Sequence, residues 1–179
     1  MPLADDAPFS LIVAVGDVGR KGQNLKLEAD ADQRAALADL LGVSEIERLE
    51  GEFQLDLVSG GAVHLRGRIE ADVVQACVVS LAPVHQHIQE PISMTLLPAG
   101  TADGRRDATV LVDPVDEEDR DTYSNGRIDL GVILSEQLAL HLDPYPRTPG
   151  VTFEVAGNDE TDERDSPFAV LERLKRDRG

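Results

Sequence analysis

Apolar and polar residues alternate without interruption at the centre of the chain, between Val63 and Val73. A repeat of two places successive side chains on opposite faces of a β-strand. The pattern therefore predicts a strand with one buried face and one solvated face. The positions of the buried face are Val63, Leu65, Gly67, Ile69, Ala71 and Val73, and those of the solvated face are His64, Arg66, Arg68, Glu70 and Asp72.

Two further alternating runs flank this strand. Phe53–Leu57 precedes it, and Ser59–Gly61 lies between the two, where glycine supplies the positive φ of a tight hairpin. Residues 76–83 then turn the chain into a third run, Val84–Leu96. Together the three runs predict an antiparallel meander over residues 53–97, with one apolar face and one wet face.

The N-terminal part of the chain predicts two more strands and a helix. Phe9–Val15 is short and β-branched, which favours a strand near the start of the sheet, and Leu25–Ala29 alternates. Asp30 or Asp32 can cap the helix that follows, because a carboxylate accepts unpaired N–H groups at a helix start. Gly42 is expected to end this helix. The expected apolar face of this helix is Ala36, Leu37, Leu40 and Leu41.

A second helix is predicted from Asp129, at the N-cap, to His141. Asp143-Pro144 ends it, because the residue before a proline is biased away from helical geometry. We expect this helix to pack on the apolar face of the meander. Its expected buried stripe is Leu130, Ile133, Leu134, Leu138, Leu140 and Leu142, with Glu136 and Gln137 facing outward.

These elements predict an α+β fold, in which two helices cover a curled antiparallel sheet within a single domain, residues 1–150. Alternation alone leaves open whether the sheet closes into a barrel. Residues 101–127 are rich in Asp and Glu, which predicts a mobile acidic loop. Residues 151–165 have a similar composition and are expected to be an acidic linker.

Residues 166–179 predict a short basic amphipathic helix after this linker. Ser166 stands at the N-cap and Pro167 at the first helical position, the favoured start of a helix. Its apolar stripe and its cations make it the predicted partner-binding segment. These partner-binding residues are Pro167, Phe168, Leu171, Arg173, Leu174, Lys175 and Arg176.

The composition narrows the choice of partners and of compartment. The chain has 179 residues and a formal net charge of −17, so phosphate backbones repel its surface unless cations are clustered. A single cysteine fits a reducing cytosol. The first residues lack the pattern of a signal peptide, and no apolar run is long enough to span a bilayer. We therefore expect a soluble, cytoplasmic protein that does not bind membranes.

Cys77 is the only thiol, and it lies at the predicted end of a strand. His85 and His87 share one face of the next strand and approach Cys77 if the hairpin closes around Leu81. A small metal- or thiol-dependent enzyme using these three residues is therefore an alternative. Structural zinc takes four N or S ligands, however, and no second cysteine pair is present. The pattern favours a buried structural cysteine beside exposed histidines.

Motifs that would assemble an active site are missing from the sequence. It contains no glycine-framed nucleophile and no glycine loop of the kind that holds phosphate. Paired carboxylates are plentiful, but they lie in acidic runs with nothing to fix their geometry. We therefore predict no catalytic residues, no cofactor and no metal, and classify the protein as a non-enzyme.

The order of three segments resembles the YceD family, the large ribosomal RNA subunit accumulation proteins. Val73–Pro83 is similar to the family's strand that runs into a Cys-x-x-Cys turn. Ile128–Leu140, followed by Pro144–Pro149, is similar to its Ile-Asp-Leu helix and proline-rich exit. Pro167–Lys175 resembles its Pro-Phe-x-x-Leu-x-x-Leu-Lys ending. The residues that correspond to family motifs are Cys77, Ser80 and Asp129.

The resemblance implies a role in 23S ribosomal RNA accumulation and in assembly of the large ribosomal subunit. The partner would be a ribosomal protein or a pre-large-subunit particle, with rRNA contact through the C-terminal basic helix. Ser80 stands where the family has its second turn cysteine, and the Cys or His residues that often follow the exit are missing after Pro149. A metal site is therefore not carried over to this chain.

Overall fold

The computed structural model describes residues 7–19, 21–100 and 119–150. The described helices and strands all belong to one unit that ends at Thr148. The predicted linker and C-terminal helix, residues 151–179, lie outside the described residues. The strands and helices are β1 (Ile12–Ala14), β2 (Gln23–Glu28), α1 (Ala31–Leu41), β3 (Glu45–Leu57), β4 (Val63–Ala76), β5 (Pro83–Pro98), β6 (Asp119–Tyr123), β7 (Arg127–Asp129) and α2 (Leu130–His141).

The predicted meander is confirmed as β3, β4 and β5, which pair antiparallel in sequence order. The hairpin between β3 and β4 turns at Gly60 and Gly61, whose φ angles are 77° and 78°. β3 is longer than expected, because it begins at Glu45 and passes through an irregularity between Ile46 and Arg48. β2 pairs antiparallel with β3, which confirms the strand predicted at residues 25–29.

The expectation of a wholly antiparallel sheet is wrong at one edge. The sheet has five strands in the order β2-β3-β4-β5-β6, and β6 runs parallel to β5. A parallel neighbour needs a long connection, and residues 99–118 separate the two strands. Among the described residues β2 and β6 form the two edges and do not pair with each other, so this part of the sheet is open.

The strand predicted within Phe9–Val15 exists as β1, but it does not join the large sheet. It pairs antiparallel with β7 in a separate two-stranded sheet, with Val13 opposite Ile128. The local pattern specifies an extended segment and contains nothing about which strand will be its neighbour. The prediction of strand type is therefore confirmed, and the prediction of its place in the sheet is wrong.

The mobile acidic loop predicted for residues 101–127 is wrong over residues 119–127, which form a strand and a turn. β6 begins at Asp119, and a tight turn then leads into β7. Asn125 and Gly126 both have positive φ, 54° and 67°, and the Arg127 amide donates to the Ser124 carbonyl at 3.0 Å. Asn-Gly is a strong hairpin signal, and it identifies this turn in the sequence. Residues 101–118 lie outside the described residues.

Helix α1 begins and ends where the sequence predicts. Asp30 caps it, accepting from the Gln33 amide at 2.9 Å, while the Gln33 side chain accepts from the Asp30 amide at 2.9 Å. Gly42 ends the helix in the left-handed conformation, with φ 68°. The predicted burial of Ala36 and Leu40 is wrong, because the helix buries Leu37 and Ala38, and Leu40 points about 100° away from that stripe.

Helix α2 has the predicted N-cap, Asp129, and it ends at His141. The burial of Leu130, Ile133, Leu134 and Leu138 is confirmed. Two expectations for this helix are wrong. Gln137 is buried because it falls between Ile133 and Leu134 around the helix axis. Leu140 is 72% exposed, and it lies at the edge of the stripe in the last turn of the helix.

Two glycines leave room on the apolar face of the sheet, Gly51 for α2 and Gly67 for the Phe53 ring. Gly51 lies directly under the helix, where a Cβ would be 2.9 Å from Leu134 Cδ2. Gly67 lies opposite Phe53 in the register of β3 and β4. Leu134 and Ile69 belong to the same buried cluster, which confirms that α2 packs on the meander. No helix in the described part of the chain is long and apolar enough to cross a membrane.

Candidate functional site

The turn between β4 and β5 is organised around the buried Cys77. The Cys77 amide donates to the Ala82 carbonyl at 2.8 Å, and the Leu81 amide donates to the Cys77 carbonyl at 2.9 Å. The Ser80 amide points at Cys77 Sγ from 3.5 Å. Ser80 therefore contributes its backbone to the sulfur at the position where the family motif has a second cysteine.

The proline-rich exit after α2 lies against this turn. The Val78 amide donates to the Pro146 carbonyl at 2.9 Å, and the Thr148 amide donates to Cys77 Sγ at 3.4 Å. Two segments that are far apart in the sequence are thus joined through one sulfur atom. The structure brings together the first and second segments of the family resemblance.

Hydrogen bonds lower the pKa of the Cys77 thiol to about 6, chiefly those from the Ser80 side chain and then from the Thr148 amide. Donors that favour the thiolate lower the pKa, and a low pKa is the usual condition for a reactive cysteine. The side chain, however, is completely buried. In this conformation the sulfur acts as a hydrogen-bond acceptor between the turn and the exit, and reagents in solvent do not reach it.

We expect Cys77 to react slowly with a thiol reagent in the folded protein despite its low pKa. Burial limits the reaction to the fraction of molecules that open locally, so the native rate should be at least about 100-fold below the rate of the unfolded chain. The reaction with dithionitrobenzoate, followed at neutral pH with and without guanidinium, measures this ratio. Equal rates in the two conditions would show that the thiol is accessible.

His85 and His87 share the outer face of β5 as predicted, but the structure does not bring them to Cys77. His87 Nδ1 lies 2.6 Å from Asp72 Oδ1, and His85 Nδ1 lies 3.8 Å from Glu47 Oε2. His85 stands opposite Val74, and the three residues from there to Cys77 span about 10 Å of strand. Within residues 7–19, 21–100 and 119–150 no three His, Cys, Asp or Glu side chains are grouped to hold a metal.

Asp129, the third residue of the family motif, has two structural roles. Its Oδ1 accepts from the Gly131 amide at 3.0 Å and from the Val132 amide at 3.2 Å, which caps α2. The same carboxylate accepts from the Leu11 amide at 3.0 Å and from the Ser10 hydroxyl. Asp129 therefore joins the N-terminal segment to α2. Sequence analysis predicts the cap and misses the second role.

The outer face of the sheet carries a row of ion pairs. Glu50 accepts from Arg48 Nε at 2.8 Å and from Lys26 Nζ at 2.9 Å. These two cations, Arg48 first, lower the pKa of Glu50 from 4.5 to about 2. The pKa of this carboxylate is lower in the folded protein than in the unfolded chain. Its ionisation therefore stabilises the folded state at any pH above the pKa of the unfolded chain. The stabilisation is lost as the pH falls through the pKa of the folded protein.

The Glu50→Gln variant should therefore lose stability relative to the wild type only where Glu50 is ionised. We expect its urea midpoint to lie below that of the wild type at neutral pH, and the difference to shrink as the pH falls from about 4.5 to about 2. Urea titrations across this range measure it, with Glu90→Gln, an exposed carboxylate on β5, as control. A difference that does not change with pH would contradict the assignment.

A shallow hollow of about 540 Å³ lies on the same outer face, across the middle of β2, β3 and β4. Its cations already have partners within the chain. Arg66 Nη2 lies 2.9 Å from Asp56 Oδ2, and Arg68 Nη2 lies 2.9 Å from Glu52 Oε2. An anionic ligand would have to compete with these carboxylates, so the hollow offers no free positive charge among the residues described.

The structure also shows an exposed apolar group that sequence analysis misses. Val78, Leu81 and Tyr145 are 49%, 78% and 71% exposed. Leu81 falls between the strand runs, where it has no place in an alternating pattern, and that was the available signal. The predicted partner-binding residues of the C-terminal segment lie outside the described residues. They are Pro167, Phe168, Leu171, Arg173, Leu174, Lys175 and Arg176.

Comparison with protein families shows which family this sequence matches. The model of the family described as "Large ribosomal RNA subunit accumulation protein YceD" matches residues 65–175, which is more than half of the chain. The matched range includes the Cys77 turn, Asp129 and the proline-rich exit. Comparison with curated proteins and with solved structures found no match.

Proposed function

Since this chain belongs to the YceD family, we propose that it is a non-enzymatic accessory factor in large ribosomal subunit biogenesis. In this proposal it supports 23S rRNA accumulation by binding a ribosomal protein or a pre-large-subunit particle in the cytoplasm. The family match carries the proposal. It covers the α+β unit from β4 onward together with most of the C-terminal segment.

The chemistry of the described residues supports binding more than catalysis. Cys77 is buried and fully engaged in hydrogen bonds, and Asp129 caps a helix. His87 pairs with Asp72 on the outer face of the sheet. A thiol-dependent enzyme, the alternative, is favoured by the low pKa of Cys77 alone, and burial of the sulfur opposes it.

The net charge supports a basic partner. A chain with a formal charge of −17 repels phosphate backbones at long range and attracts basic proteins. Carboxylates within the chain also occupy Lys26, Arg66 and Arg68 on the outer sheet face. A ribosomal protein rich in Lys and Arg therefore suits this surface better than bare RNA.

The C-terminal segment is the proposed second contact. Its apolar residues Phe168, Leu171 and Leu174 would enter a groove of the partner, as an amphipathic helix does. Its cations Arg173, Lys175 and Arg176 would contact phosphate where the partner includes rRNA. The basic segment and the acidic unit would thus recognise different parts of one particle.

Affinity purification of the full chain from growing cells at physiological salt tests the proposal. We expect large-subunit ribosomal proteins and pre-large-subunit particles to copurify, and 23S rRNA to fall when the chain is depleted. Phe168→Ala and deletion of residues 166–179 should weaken the association. Changing Arg173, Lys175 and Arg176 to Gln removes the charge and keeps the apolar residues, so it separates the two contributions to binding. Recovery of neither ribosomal proteins nor particles would overturn the proposal.

A further inference from the structure

Leu81 combines two features that are unfavourable for an isolated domain. Its φ is 61°, in the left-handed region that residues other than Gly and Asn rarely adopt. Its side chain is also 78% exposed. A Gly or Asn at this position would relieve the backbone strain without losing buried apolar area. Strain of this kind at an exposed turn is an observation from which a function can be inferred.

Two other exposed apolar side chains belong to the turn that carries Leu81 and to the exit that is hydrogen-bonded to that turn. Val78 belongs to the same turn, and its amide donates to Pro146 at 2.9 Å, which places the neighbouring Tyr145 at the turn. We call Val78, Leu81 and Tyr145 the turn patch. Large aromatic and aliphatic side chains that stay exposed together are typical of protein-binding surfaces.

The turn patch rests on a rigid support. Cys77 Sγ accepts from amides of both the turn and the exit, at 3.5 Å and 3.4 Å. Gln86 Nε2 donates to the His141 carbonyl at 2.8 Å, and Gln75 Nε2 donates to the Asp143 carbonyl at 3.0 Å. These bonds fix the end of α2 to β4 and β5. A preordered surface loses little conformational entropy when it binds.

We propose that the turn patch is a docking surface for a basic protein segment that inserts an apolar side chain beside Leu81. The proposal rests on the proposed function, because it locates the contact with a basic ribosomal protein on the described unit. The formal charge of −17 selects this occupant. It opposes association with a second, equally acidic copy and with phosphate backbones, and it favours encounter with a Lys- and Arg-rich protein.

Individually purified large-subunit ribosomal proteins, passed over the immobilised full chain at physiological salt, provide the test. We compare the wild type with Leu81→Asn and with Leu40→Ser. Leu40 is a matched control, because it is 67% exposed on α1 and lies in ordinary helical geometry. We expect Leu81→Asn to weaken binding of at least one ribosomal protein by about tenfold or more, and Leu40→Ser to change it by less than about twofold.

Leu81→Asn also separates loss of binding from loss of folding. Asn tolerates positive φ, so the variant should unfold at a urea concentration equal to or above that of the wild type while binding more weakly. If the wild type binds a ribosomal protein and Leu81→Asn binds it equally well, the docking surface is overturned and the proposed function stands. If the wild type binds none of them, the docking surface is overturned, and the copurification of pre-large-subunit particles decides the proposed function separately. Concentration-dependent dimers, or rRNA binding, lost in Leu81→Asn would assign the patch to another occupant and overturn this one.

Discussion

Gly67→Ala is expected to lower the free energy of unfolding by about 3 kcal/mol. A Cβ at this position would overlap the carbonyl oxygen of Glu52 and lie 2.9 Å from Phe53 Cδ1. The Glu52 carbonyl is backbone in the neighbouring strand, so it cannot move without disturbing β3. The Phe53 ring belongs to the buried core, so a shift of the ring would disturb its packing contacts there.

Gly16→Ala is the control for this prediction. Gly16 has no atom within 4 Å of a Cβ and does not require positive φ. Alanine there should leave stability unchanged or raise it by up to about 1 kcal/mol, since alanine restricts the unfolded chain. Urea unfolding followed by circular dichroism compares the variants. Equal midpoints for Gly67→Ala and the wild type would show that the sheet tolerates a side chain at this position.

Asp129→Ala is expected to destabilise the protein by a similar amount, about 3 kcal/mol. The loss of the N-cap accounts for about 1–2 kcal/mol of this. The remainder comes from the Leu11 amide and the Ser10 hydroxyl, which lose their acceptor when the carboxylate is removed. The variant should therefore loosen β1 as well as α2.

Asp129→Asn and Ser10→Ala separate the two roles of this residue. Asn keeps an acceptor oxygen and is a good cap, so we expect Asp129→Asn to cost about 1 kcal/mol. Ser10→Ala leaves the cap intact and should cost about 1 kcal/mol through the N-terminal segment alone. Hydrogen exchange of the Leu11 and Val132 amides reports on each contact. If Asp129→Ala speeds exchange only at Val132, the link to the N-terminal segment contributes nothing.

The caps show how much of the candidate site the sequence could predict. Asp129 as N-cap follows from its neighbours within one helical turn, and the structure confirms it. Its bond to the Leu11 amide joins residues 118 positions apart, and no local pattern encodes such a contact. Cys77 shows the same division. Its burial was predicted from the sequence, whereas its hydrogen bond from the Thr148 amide depends on the proline-rich exit packing against the turn.

The sequence by itself determined the local elements of this protein. A repeat of two specifies the three long strands, a carboxylate before each helix specifies its start, and Gly42 specifies a stop, because each depends on residues that are close along the chain. Only the tertiary structure decided that β6 runs parallel to β5, that Leu140 is exposed while Gln137 is buried, and that the turn of Leu81 is bonded to the exit that carries Tyr145. These outcomes depend on packing between segments distant in sequence, and that packing is fixed by the fit of the whole core.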